Sequence, residues 1–340
     1  MANITDVARV AGVSISTVSY ALSGKRPIAD ATKTRIAQAV TELGYRPNAG
    51  ARMLAGSRTN IFALTAPMHE DTHPPALMSF VLSVVTAARS YDYDVLLLTE
   101  GEATTGLRRV VSSSLVDGII MLDVTVEDER IDVIRELGLP TTLIGIPHDT
   151  EGLTCVDLDF EGAARLAVSR LVALGHTSIG LMGHAEALYE RGSNYAPRFR
   201  DAFLAAGSDA GIQTAFHTTV ATRPGVEESL DGLRAQLPGM TALVLNCNEN
   251  IHGILLEVLR EREVAVPEAL SIVSACSSFS TDHFLPPMDV IPLPSQESGR
   301  RAVELAIQQI AGFADPHVEL IAPVYHRKSS TAPPAATVAA

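Results

Sequence analysis

The sequence predicts a small all-α head joined to a larger, two-lobed α/β body. Three observations carry this expectation. Short segments with helical apolar spacing, separated by turn residues, occupy the first 45 residues; apolar β-rich runs alternate with amphipathic segments from residue 61 onward; and the charge reverses sign between the two parts.

In the head, Ile4, Val7, Ala8 and Ala11 recur at i, i+3, i+4 and i+7, one apolar stripe of a helix over residues 4–11, with Asn3 placed to cap its first turn. Gly12 offers a backbone position free of Cβ, Val13 can pack inward, and Ser14 is a good N-cap for a second helix over residues 15–22 that Gly24 ends. This second helix is expected to bury Val18, Ala21 and Leu22 and to turn Ser16, Thr17, Ser19 and Tyr20 outward. Small hydroxyls on such a face can approach base edges and phosphates closely. A third helix over residues 30–43, with Ile36, Val40 and Leu43 on one stripe, closes a three-helix core. Hydroxyl-rich short helices also occur in small helical domains of other kinds, and the spacing alone leaves that reading open. The stretch 48–56 is too short for a core of its own and is expected to order only against a partner.

The whole chain carries −13, which taken alone argues against nucleic acid. Residues 1–60 hold eight basic residues against three acidic ones, a net of +5, so the remainder carries −18. A basic head on an acidic body is an electrostatic footprint for nucleic acid. With 340 residues, 46% of them hydrophobic, the chain can build one large or two medium cores. Its first twenty residues lack the continuous apolar stretch of a signal peptide, and no apolar run of about 18 residues follows. Export and membrane insertion are therefore not expected, and the expected location is cytoplasmic. Cys155, Cys247 and Cys276 have neither C-x-x-C nor metal-ligand spacing and read as structural thiols of a reducing compartment, so no metal and no cofactor is expected.

In the body, runs at 61–66, 94–99, 118–122, 141–146, 178–183, 242–246 and 270–275 read as strands, with amphipathic stretches such as 76–91, 161–174 and 250–262 between them. Near-continuous apolar strands separated by helices imply parallel sheets covered on both faces, and the length implies two α/β lobes. Ligands bind at the carboxyl ends of such strands, which in a two-lobed protein face a cleft. By strand-end position the cleft candidates are His69, Glu70, Asp123, Arg191, Asn194, Tyr195, Asn246, Asn248, Cys276 and Ser277, each of which could equally be a solvated loop residue. An enzyme is disfavoured by the lack of G-x-S-x-G, Walker, H-E-x-x-H and dinucleotide-binding patterns. A transported-solute receptor is disfavoured by the basic head.

The segments Ile4-Thr-Asp-Val-Ala-Arg-Val-Ala-Gly-Val-Ser14, Ser16-Thr-Val-Ser19, Gly44-Tyr-Arg-Pro-Asn48 and Ala51-Arg-Met-Leu54 together resemble the signature of the lactose/galactose repressor (LacI/GalR) family. The resemblance extends through Leu174-Gly-His-Thr-Ser-Ile-Gly180, Val266-Pro-Glu268 and Arg327-Lys-Ser-Ser-Thr331, and so covers nearly the whole chain. It implies a periplasmic-binding-protein-like core and a repressor that binds a near-palindromic DNA operator as a homodimer, with a small effector in the cleft. It places Ile15, Ser16 and Tyr20 at base-reading positions and Asn3, Ser14, Thr17, Ser19 and Asn48 at phosphate-holding ones. It also makes Leu54, beside the small Ala51, a wedge into a central minor-groove step. Tyr20 departs from the arginine common at its position, which removes a bidentate guanine contact. The effector positions depart too. Leu158-Asp159 stands for the family's Asp-Asn, Cys247-Asn248 for its Asn-Asp, and Ser274-Ala-Cys-Ser277 for its Gly-Phe-Asp-Asp, so a strong carboxylate acceptor is lost. A neutral sugar is the leading effector, with Tyr189, Tyr195 or Phe279 to stack on it; a non-sugar metabolite or a protein co-regulator is the alternative. The expected organisation is a DNA-binding domain at 1–46, a hinge helix and linker at 47–60, the effector and dimerisation domain at 61–330, and a disordered tail at 331–340 whose sequence has no heptad for a tetramer. Replacing Leu54 by Ala removes the wedge but no core residue. Operator affinity in a titration is expected to fall steeply, while the thermal unfolding midpoint stays close to that of the parent chain.

Overall fold

The computed structural model describes residues 2–23, 26–45, 58–69, 72–99 and 103–335; the candidates Asn48, Ala51, Leu54 and Glu70 lie outside the described residues. In the head, α1 (Ile4–Ala11), α2 (Ile15–Ser23) and α3 (Asp30–Leu43) pack Val7, Ala8, Ala11, Val18, Ile36, Ala39 and Tyr45 together. Asn3 caps α1 through Oδ1, which accepts from the Thr5 and Asp6 amides at 2.9 and 3.0 Å, while Asp6 returns a carboxylate oxygen to the Asn3 amide at 3.0 Å. Gly12 takes the left-handed conformation, φ 63°, that the tight turn into α2 requires. Leu22, expected inside, is 42% exposed. Val18 and Ala21 fill the inward face, and Leu22 lies about 100° further round the helix.

Among the described residues the body holds two sheets, parallel throughout. Among the described residues the first has the order β11-β5-β4-β3-β1-β2 and comprises β1 (Ile61–Thr65), β2 (Asp94–Leu98), β3 (Gly118–Met121), β4 (Thr141–Ile144), β5 (Thr154–Leu158) and β11 (Val318–Ile321). The side chains alternate across it. Phe62, Leu64 and Ile120 pack under α4 (Pro74–Arg89) and α12 (Ser295–Ile310), while Ala63, Ile119 and Met121 pack under α5 (Ala103–Ser112) and α6 (Arg130–Leu137). The second sheet, β10-β9-β8-β6-β7, comprises β6 (Ser178–Met182), β7 (Gln213–His217), β8 (Ala242–Leu245), β9 (Ser271–Ser277) and β10 (Asp289–Pro292). It is covered by α7 (Phe160–Ala173) and, after the short α8 (Glu186–Glu190), by α9 (Tyr195–Asp209) on one face and by α10 (Arg223–Gln236) and α11 (Glu249–Glu261) on the other. The chain passes between lobes after β5, after β10 and after β11, so neither lobe is one continuous stretch. Among the described residues no helix is long and apolar enough to cross a membrane.

Buried polar knots fix the joints. Asp117 accepts from the Thr59 amide and hydroxyl at 2.8 and 2.9 Å and from the Asn60 amide at 2.8 Å, clasping the incoming linker at the foot of β3. Asp289, fully buried on β10, accepts from the Lys328 and Ser330 amides at 2.9 and 3.2 Å and from the Tyr325 and Thr331 hydroxyls, each at 2.8 Å. Ala332 donates its amide to Ser271 Oγ at 3.0 Å, and its carbonyl lies 3.0 Å from His176 Nε2. The expectation of disorder from residue 331 is thus corrected at Thr331 and Ala332, because buried acceptors and donors of the second lobe hold them. Residues 336–340 lie outside the described residues. In the same lobe the buried His252 ring donates from Nδ1 to the Asn248 carbonyl at 3.0 Å, so Nε2 accepts from Ser274 Oγ at 2.8 Å.

Asp289→Ala leaves several buried donors without an acceptor and is expected to destabilise the protein by about 3 kcal/mol or more, read from urea unfolding. His252 offers a pH test. Burial depresses it to about 4, below the 6.5 of an unfolded histidine, so its contribution is complete above pH 6.5 and is lost as pH falls from 6.5 toward 4. By pH 4 that amounts to about 3 kcal/mol. The unfolding free energy of the parent chain should therefore fall more steeply over this window than that of His252→Leu, and parallel slopes would refute the assignment.

Candidate functional site

Two regions gather the candidates. The first is the outer face of α2. Ile15 is 47% exposed at its first turn, Ser14 and Ser16 are exposed, and Thr17, Ser19 and Tyr20 are half-buried. The hydroxyls are pre-ordered: Ser14 Oγ lies 2.8 Å from both Ser16 Oγ and Thr17 Oγ1 and accepts from the Thr17 amide at 3.2 Å. An exposed isoleucine beside a row of hydroxyls suits thymine methyls and phosphate oxygens, while Arg26, which sequence reasoning passed over, sets its guanidinium 4.9 Å from the Tyr20 ring centre. Asn3 sits at the exposed start of α1 with Oδ1 engaged in capping.

The second region is a 450 Å³ cavity between the lobes. Of the cleft candidates, Asp123, Arg191, Asn194, Tyr195, Asn246, Asn248 and Cys276 line it. His69 and Ser277 do not. His69 lies outside with Nε2 3.5 Å from Asp123, and the Ser277 hydroxyl turns into the lobe to bond Ser274. Lining residues absent from the sequence-based set include His73 and Phe80 at α4, Asp157 and Leu158 at β5, Phe160, His184 and Thr219; Phe279, named only as a stacking partner, also lines it. One signal was available for Asp157: a carboxylate interrupting the short apolar run Cys155-Val-Asp-Leu158.

The cavity walls are held from behind. Asp123 follows β3 with φ 49°, and the buried Arg130 fixes that turn by donating to the Leu122 and Asp123 carbonyls at 3.0 and 2.9 Å and to Thr65 Oγ1 at 3.0 Å, its own charge balanced by Asp128 at 2.6 Å. So presented, the Asp123 carboxylate meets Arg191 of the other lobe at 3.0 Å, and the Val126 amide donates to the Gly192 carbonyl at 2.9 Å across the same boundary. Gly145, at φ 125°, permits this approach, since a Cβ there would stand 2.8 Å from the Asn194 amide nitrogen. At the rear, Arg198 binds Asp157 at 2.7 Å and Glu161 at 2.7 and 2.8 Å, and its guanidinium lies 5.6 Å from the Phe160 ring centre; that ring stacks on Tyr195. Burial pushes Asp157 up to about 6 against the pull of Arg198, and it lowers His73. Burial also raises the Cys247 and Cys276 thiols, which keeps them protonated. Among the described residues no group of three or more His, Cys, Asp or Glu is placed to hold a metal ion. The cleft can bind, orient and enclose a small molecule.

Comparison with known proteins bears on both regions. Residues 3–48 match the bacterial regulatory proteins of the lacI family, and residues 168–331 match the periplasmic binding protein-like domain. The HTH-type transcriptional regulator CelR of Thermobifida fusca is 28% identical over 323 residues, covering 93% of this chain and 94% of that protein. The HTH-type transcriptional repressor PurR of Vibrio campbellii is 28% identical over 324 residues, covering 91% and 92%. Among solved structures, the Lac repressor dimer bound to operator and an anti-inducer superposes with a TM-score of 0.79 at 21% identity, covering 97% of this chain and 99% of that one, and so supports the fold. A CelR–cellobiose complex gives 0.68 at 24% identity, covering 97% and 100%. These relatives are transcriptional regulators, and the chain, which joins a lacI-type DNA-binding domain to a periplasmic binding protein-like domain, is accordingly a DNA-binding transcriptional regulator similar to those of the LacI family.

Proposed function

We propose that the chain is a cytoplasmic repressor of carbohydrate-utilisation genes, binding a near-palindromic operator as a homodimer and switched by a sugar in the inter-lobe cleft. The observation that carries the reading is the pairing of a pre-ordered hydroxyl face on α2 with a 450 Å³ cleft that offers stacked aromatic rings and amide side chains on one chain. In this reading Ile15, Ser16 and Tyr20 read bases, and Asn3, Ser14, Thr17, Ser19 and Asn48 hold phosphates. Ala51 and Leu54 form the minor-groove wedge. Asp123, Arg191, Asn194, Tyr195, Asn246, Asn248 and Cys276 surround the effector.

Dimerisation is supported by apolar side chains left uncovered on the first lobe: Met78 and Leu82, one turn apart on α4, and Leu96 and Leu97 on the edge strand β2. Sugar as the effector is supported by the cellobiose complex of the CelR relative and by the Phe160–Tyr195 stack at the cavity wall. The switch runs through β3, which has the linker clasp Asp117 at its foot and the cleft carboxylate Asp123 just past its head. An occupant that favours one arrangement of Asp123 against Arg191 shifts the lobes, and with them the linker, through its differential affinity for the two states.

Fluorescence anisotropy on a palindromic operator at fixed salt, with and without mono- and disaccharides, tests the whole reading. Selective binding that weakens with salt and changes with one sugar is the expected result. Ser16→Ala and Tyr20→Ala should alter base preference more than overall affinity, whereas equal binding to every duplex would sink the assignment.

A further inference from the structure

Among the described residues two carboxylates line the cleft, and they are compensated differently. Asp123 at the mouth meets Arg191 at 3.0 Å, with His69 3.5 Å away. Asp157 at the rear has no cation to itself. Arg198 gives two N–H groups to Glu161, at 2.7 and 2.8 Å, and one to Asp157, at 2.7 Å, so the two carboxylates divide one guanidinium, and Arg165 adds only a weaker, longer-range pull on Glu161. A carboxylate offers about four acceptor positions. Asp157 fills one with Arg198 and one with the Leu158 amide at 3.0 Å; its side chain is 10% exposed, and that fraction borders the cavity. Its shortage of donors is consistent with the upward push that burial gives it, to about 6.

Asp157 also faces the position where a carboxylate is missing. Cys276, at φ 55°, stands where the Gly-Phe-Asp-Asp pattern would place an aspartate, and its thiol is raised first by burial and further by the charge of Asp157. The lost acceptor on β9 is thus answered from β5 of the opposite lobe, beside the Phe160 ring.

Resting on the reading of the cleft as a sugar site, we propose that Asp157 is the acceptor that anchors the effector's hydroxyls. The charge it shares with Glu161 makes the cleft accept uncharged polyhydroxyl ligands and reject phosphorylated or carboxylated ones. A hydroxyl donating into a poorly compensated carboxylate gains a charge-assisted hydrogen bond, while a phosphate brought to the same wall meets like charge in a poorly solvated site.

The test is titration calorimetry on the full chain with cellobiose, maltose, glucose, glucose 6-phosphate and glucuronate, alongside operator binding. Neutral sugars should bind and their anionic counterparts should bind at least 10-fold more weakly. Asp157→Asn should weaken the neutral sugar 10-fold or more, the loss of a hydrogen bond to a charged group, while narrowing or reversing the preference against glucose 6-phosphate. A merely structural role would weaken both alike. Glu161→Gln, which leaves the cavity-lining carboxylate in place, should also narrow the discrimination, and thermal melts establish that both variants fold. Equal or tighter binding of glucose 6-phosphate by the parent chain, or unchanged neutral-sugar affinity in Asp157→Asn, overturns the proposal while the sugar-switched repressor stands. If operator binding is intact but no member of the panel binds, the sugar reading fails and this proposal fails with it.

Discussion

A parallel strand buried on both faces can satisfy its backbone only through neighbouring strands, and its crossover must carry a helix over one face. Every carboxyl end of such a sheet then opens onto the same edge. The body of this protein applies that constraint twice. The edges of both sheets meet across one cavity because the chain passes between lobes after β5, β10 and β11, and these crossings leave neither lobe free of the other. Position of the cleft, direction of its lining residues and the route from linker to cavity all follow from that geometry.

Within the cleft, electrostatics rather than apolar packing distinguishes the walls. Charges brought out of water must be paired, and the protein does so with cross-connections: Arg130 and Asp128 hold the turn that presents Asp123, Arg191 reaches Asp123 from the second lobe, and Arg198 ties Asp157 to Glu161. The close approach at Gly145 lets these pairs form without a side chain propping the lobes apart. Asp117 and Asp123 flank one short, fully buried strand, so the linker clasp and the mouth of the cleft belong to the same rigid element.

Much of this was legible from local pattern. Capping by Asn3 and Ser14, the left-handed turn at Gly12 and the inward Val18 and Ile36 follow from i, i+3, i+4 spacing and side-chain oxygens that compete for free amides. Asp123, Asn246, Asn248 and Cys276 line the cavity because a parallel sheet sends its strand ends there, and Arg191, Asn194 and Tyr195 reach it from the helical segment that follows β6. Local pattern misled where a residue's neighbours lie far along the chain. Leu22 has apolar spacing but is covered by none of the described residues; Ser277 sits at a strand end but bonds backward to Ser274; and Thr331 and Ala332, in a Pro- and Ala-rich tail, are held by Asp289 and Ser271.

The sequence by itself determined the two-part architecture, the helix-turn-helix face and the parallel sheets, because apolar period, capping residues and charge sign are properties of neighbouring positions. Only the tertiary structure decided which charges are paired and which are not. Asp157 lies 41 residues from Arg198, and Asp123 lies 68 from Arg191. Whether a carboxylate in the cleft is neutralised or left to accept from a ligand depends on distances of about 3 Å between groups that the chain brings together only after both sheets have formed.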